Sequence, residues 1–166
     1  MIITYSILIF SLLVDGIISN FLPYMVNDLS LFTPFFTLVS IIIVFPAFKK
    51  DIKKYLCVVT ILGFLYDLFY TILFFANAVY FLLIGLLVVL LNSKFELNWF
   101  TNLIFIIILL CSYFLIYDLF IYIFNVVPLD IDAIIYQITH YLLLNILYGE
   151  SLYFIFYRYF HKRHLN

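Results

Sequence analysis

Three aspartates, Asp15, Asp67 and Asp118, stand inside long apolar runs of a 166-residue chain in which 68% of residues are hydrophobic and 10% charged. An ionised carboxylate in such surroundings is costly unless it is bonded, so each marks a packing site or a functional one. Ser11 and Ser19 flank Asp15 four residues to either side, and Gly63 and Thr71 flank Asp67 in the same way. Residues four apart share a helix face. Each of these two carboxylates therefore lies between small residues on one stripe, and in lipid such stripes let backbones approach and polar groups bond across the gap. The expected chemistry is hydrogen bonding at a buried helix contact. Asp118 has Phe114 and Tyr122 at the same spacings and lacks the small flanks.

The last apolar run offers a counterpart. At 100° per residue, Gln137, His140, Tyr141, Asn145, Tyr148 and Ser151 fall within an arc of about 140°, a polar stripe to which Asp15 or Asp67 can bond. Glu150 lies off this arc near the basic end, where snorkelling to the interface accounts for it. Two other readings compete with structural packing. Three acids with His140 suggest a proton or cation path, although no basic residue lies at similar depth and no helix has the Gly/Pro break of a transporter. A small-molecule pocket is the other. His161 and His164 stand beside Lys162 and Arg163 and read as a solvated, lipid-facing basic tail rather than metal ligands. Cys57 and Cys111 lie in apolar runs, away from any disulfide or metal framework. No nucleophile elbow, zinc-protease motif or glycine-rich phosphate loop occurs among only four glycines. No catalysis, cofactor or metal is expected, and a net charge of −1 without a soluble domain argues against nucleic-acid binding.

The elements that position these residues follow from the apolar blocks. A mean hydropathy of +1.25 and 22% aromatic residues exclude a disordered chain. A barrel needs segments of about ten alternating residues, whereas 103–110 is continuously apolar, so the spans are helices. A span takes about 20 apolar residues. The blocks give an all-α integral membrane protein, one polytopic domain folded as a compact bundle of six transmembrane helices at 2–22, 34–48, 55–75, 78–91, 99–124 and 133–157. Pro23 ends the first, 34–48 is a short second span, and the start of the chain reads as a retained span rather than a secretory signal. All eight Lys and Arg then fall on one side, cytoplasmic by the positive-inside rule, and both termini with them. Asp28, Asp130 and Asp132 occupy the opposite loops. The three intramembrane aspartates are 52 and 51 residues apart, each on an outward-running helix, and 65–69 echoes 116–120. This suggests three similar hairpins, although leucine and aromatic richness alone produces such echoes.

The run Gly63-Phe64-Leu65-Tyr66-Asp67-Leu68-Phe69-Tyr70, after a short proline-led span and before a polar turn and a helix containing Gly85, resembles the rod shape-determining protein MreD family. Members are small six-span bacterial membrane proteins with a glycine and an aspartate four residues apart in the third helix. Gly63 and Asp67 match that motif. The resemblance implies a non-catalytic scaffold subunit of the cell-elongation machinery in the bacterial cytoplasmic membrane. Its implied partners are the single-span protein MreC, MreB filaments and the RodA-type peptidoglycan synthase. The alternative is a six-helix substrate-binding subunit of an energy-coupling-factor vitamin transporter, with the aspartates lining an outward pocket.

Overall fold

The computed structural model describes residues 2–25, 34–70, 75–95, 98–123 and 131–164, with side chains left undescribed at 20–25, 117–118, 120–121, 123, 131–134, 136–140 and 158–164. Among the described residues all regular structure is helical. In chain order the helices are α1 (Ile2–Met25), α2 (Phe36–Val44) continuing as a 3₁₀ turn (Phe45–Phe48), α3 (Ile52–Tyr70), α4 (Ala76–Lys94), α5 (Trp99–Ile123) and α6 (Ile131–His164). Helix α1 continues through Pro23 to Met25, because a proline in the last turn removes one backbone bond without ending the helix.

Among the described residues three segments are long and apolar enough to cross a membrane: Ile2–Ser19, Ala76–Lys94 and Trp99–Ile116. Helix α3 carries Lys53, Lys54 and Asp67 within its 19 residues, and α6 breaks its apolar residues with polar ones. Helix α2 differs most from a span. With its 3₁₀ extension it is about 22 Å long, against a hydrocarbon core of about 30 Å, and all nine of its residues are buried. A helix that is apolar on every side is buried on every side. It packs against α1, α4, α5 and α6 and is the axis of the bundle, while α3 pairs with α4 and α5 with α6.

Large apolar side chains cover the outside as well, among them Phe10, Ile17, Leu90, Leu119, Leu143 and Ile155, a surface suited to lipid rather than water. The ring of Tyr5 meets that of Phe48 edge-on at 6.0 Å, which sets the start of α1 beside the end of the 3₁₀ turn. Lys49, Lys50, Lys53, Lys54 and Lys94 all belong to this end of the bundle, and all are exposed.

Candidate functional site: carboxylates that cap other helices

A helix of nine residues has few internal bonds and leaves its first N–H groups without partners. At the depth of a buried helix no water can satisfy them. The residue preceding α2 is Phe35, which has no side chain able to cap it. The cap comes from α1 instead. Asp15, 1% exposed, accepts the Phe36 N–H on Oδ1 at 2.7 Å and, on Oδ2, the Thr37 N–H at 2.8 Å and the Thr37 hydroxyl at 2.6 Å. The Phe35 N–H donates to Oδ1 of Asn145 on α6 at 2.7 Å, and Asn145 is held in turn by its amide donating to the Tyr141 carbonyl at 2.8 Å. Three donors and the positive end of the helix dipole replace water around the carboxylate.

The far end of α2 is completed in the same manner. Where the helix tightens into the 3₁₀ turn, the Phe45 N–H bonds to the Ile42 carbonyl. Ile41 thereby loses its usual α-helical donor, and the hydroxyl of the fully buried Tyr55 on α3 donates to it at 3.2 Å.

Asp67 repeats the device on α4. Its Oδ1 accepts the Asn77 N–H at 3.1 Å and the Asn77 side-chain amide at 2.8 Å, and its Oδ2 accepts the Ala78 N–H at 3.1 Å. Tyr113 on α5 donates to Oδ1 of Asn77 at 2.8 Å, which carries the network across the bundle. Gly63, one turn before Asp67, is where α4 begins its close approach. A Cβ there would collide with the Asn77 carbonyl oxygen and stand 2.7 Å from the Ala78 Cα. The chain enters α4 through Phe75 in the left-handed region at φ 67°, a conformation costing a bulky residue about 1–3 kcal/mol.

Ser11 is buried and donates to the Ile7 carbonyl at 2.8 Å, so the Tyr148 hydroxyl, 2.6 Å away, is the donor to it. The Tyr148 ring stacks on Phe36 at 3.9 Å. Tyr70 donates to the Leu12 carbonyl at 2.7 Å, its ring lying against Gly16, and so ties α3 to α1 beside the first cap.

Of the residues singled out by sequence, Asp15, Ser11, Gly63 and Asp67 lie within these contacts. Ser19 is exposed, which corrects the expectation that both serines flank a buried contact. Asp15 lies nearer the middle of α1, and the helix turns Ser11 inward and Ser19 out. Thr71 and the side chains of Asp118, Gln137 and His140 lie outside the described residues. The α6 stripe reaches this site through Asn145 and Tyr148, not by bonding Asp15, whose oxygens are occupied by α2; Ser151 is exposed and bonds its own helix at Leu147. Glu150 is half-buried and accepts the Asn102 amide at 3.0 Å, rather than snorkelling away from the bundle. Asn77 and Tyr113 join the Asp67 network from other helices, at separations that no helical spacing marks. Among the described residues no group of three His, Cys, Asp or Glu is placed to hold a metal ion. The site closes polar groups on one another. The sequence matches no family model and no curated protein, and the fold matches no solved structure.

Proposed function

We propose that this chain is a non-catalytic membrane scaffold that works by holding another membrane protein, as a subunit of a bacterial cell-elongation complex of the MreD type. In this reading all six helices lie in the cytoplasmic membrane with both termini in the cytoplasm, the side to which the lysine-bearing end of the bundle would face. Helix α6, about 51 Å long, is ample to cross and project beyond the bilayer.

The observation that carries the reading is a groove of about 500 Å³ between α1 and α6, lined by Ile3, Ser6 and Phe10 on one helix and Ser151, Leu152 and Ile155 on the other. Small residues between large apolar ones suit the approach of a transmembrane helix. The partner would be a single-span protein like MreC, through which MreB and a RodA-type synthase join. The vitamin-transporter alternative is less well supported, since among the described residues the two acids expected to line a pocket, Asp15 and Asp67, are 1% and 2% exposed and bonded to backbone.

Co-expression with a candidate single-span partner tests the proposal. The pair Ser6→Leu and Ser151→Leu should lower partner recovery severalfold at unchanged yield of folded chain. Undiminished recovery would move the interface elsewhere. Vitamin binding at sub-micromolar Kd by the chain alone, about −8 kcal/mol or better, would replace the scaffold with the transporter subunit.

A further inference from the structure

About 25 Å along α4 from its capped start, the 3₁₀ turn and the last turn of α4 flank a cleft of about 450 Å³. Phe45, Pro46 and Lys49 line one side, and Asn92, Ser93 and Lys94 the other. Asn92 and Ser93 turn back on their own helix, donating to the Val88 carbonyl at 3.0 Å and the Leu90 carbonyl at 2.7 Å. The two ammonium groups are the cleft's charged donors for a ligand, and among the described residues neither lysine forms an ion pair. Phe95, Trp99 and Phe100 follow Lys94 closely in sequence, and each is more than half exposed. Aromatic rings beside lysines mark the depth of lipid headgroups.

Two cations from separate elements, set at that depth in a concavity of mixed lining that includes Pro46 and Phe95, match one ligand chemistry. We propose that this cleft holds the phosphate of an anionic phospholipid between Lys49 and Lys94, with the exposed Pro46 and Phe95 against the glycerol and first methylenes. Inorganic phosphate would gain nothing from those two side chains, which is why the lipid is the expected occupant. The site depends on the membrane placement of the bundle and is independent of any scaffold partner.

The test uses the full chain in detergent, with phospholipid retention followed by native mass spectrometry and titration. The wild-type chain should retain phosphatidylglycerol over phosphatidylcholine, and millimolar inorganic phosphate should not displace it. K49Q with K94Q should weaken phosphatidylglycerol binding about thirtyfold, at roughly a fivefold loss per lysine near an anionic surface. K49R with K94R should retain it, because arginine also grips phosphate. K50Q with K53Q removes the same charge outside the cleft and should leave binding unchanged. Equal weakening by K50Q with K53Q would reduce the effect to diffuse surface charge and overturn the site. So would the absence of any preference for phosphatidylglycerol, or ready displacement by inorganic phosphate.

Discussion

Asp15 serves α2 more than it serves its own helix, and this makes its substitution separable from ordinary loss of packing. Asp15→Leu orphans the Phe36 and Thr37 N–H groups, each worth about 1–3 kcal/mol when left unpaired in a buried place, for an expected loss of about 2–6 kcal/mol. Thr37→Val removes one hydroxyl donor and leaves both backbone bonds in place, so about 1 kcal/mol is expected. Unfolding of both variants by denaturing detergent in mixed micelles measures the difference; equal losses would mean that Asp15 does not cap α2. A second contrast separates two glycines. At Gly63 an added Cβ meets the backbone of α4, which cannot yield, whereas at Gly85 it meets side-chain carbons of Val59 and Leu56 at 3.2 and 3.3 Å. Gly63→Ala should cost about 1–3 kcal/mol and Gly85→Ala less than half of that in the same measurement. Glu150→Gln should be at least as stable as the parent chain. Asn102 Oδ1 and Glu150 Oε2 are buried without partners among the described residues, and the amide brings a donor that the carboxylate lacks. A lowered midpoint for this variant would count against that pairing.

The starts of α2 to α5 divide into two kinds. Those of α3 and α5, at the lysine-bearing end, are capped locally: Asp51 accepts the Lys54 N–H at 3.1 Å ahead of α3, and Asn98 and Thr101 exchange bonds at 2.9 and 2.7 Å across the first turn of α5. Those at the opposite end, α2 and α4, are capped by carboxylates on the preceding helix. The division explains what the sequence made legible. The small-residue stripe around Asp67 is a short-range pattern on one helix, and Gly63 within it stands where α4 comes close. The partner of Asp15, by contrast, lies 21 and 22 residues away on another helix. No helical spacing encodes that distance, so the serine flanks gave only half of the answer and Ser19 misled. Helix α2 read as a short span because hydropathy measures apolarity, and a bundle axis and a lipid-facing span are equally apolar. Hydrogen exchange offers a check on this element: the Phe36 and Thr37 amides should be as protected as helix-interior amides and should exchange at least tenfold faster in Asp15→Asn, where an amide replaces one acceptor oxygen. Unchanged exchange would show that the cap does not hold these donors.

For the whole molecule, the position of the basic residues fixes an expectation about sidedness. Single cysteines at Lys50 and Lys94, both exposed at one end, should be labelled by a membrane-impermeant reagent from the same side, and one at Phe75, exposed at the other end of α4, from the opposite side. Labelling of all three from one face would rule out the alternating arrangement. A background with Cys57 and Cys111 replaced by serine keeps the readout clean.

The bond from the Phe35 N–H to Asn145 joins residues 110 positions apart, and this has a consequence for how the protein is made. A ribosome delivers α2 to the insertion machinery long before α6 exists. The nascent helix therefore waits in the bilayer with an unfinished start, and its burial becomes affordable only once the last segment has docked. Chains interrupted before α6 should be recognised as orphans by membrane proteases, since Ser11 on α1 and Asn102 on α5 also lose their partners on α6, Tyr148 and Glu150. Pulse-chase of a chain stopped after Ile123 would read this as a half-life several times shorter than that of the full protein, with Asn145→Leu in the complete chain reproducing part of the loss.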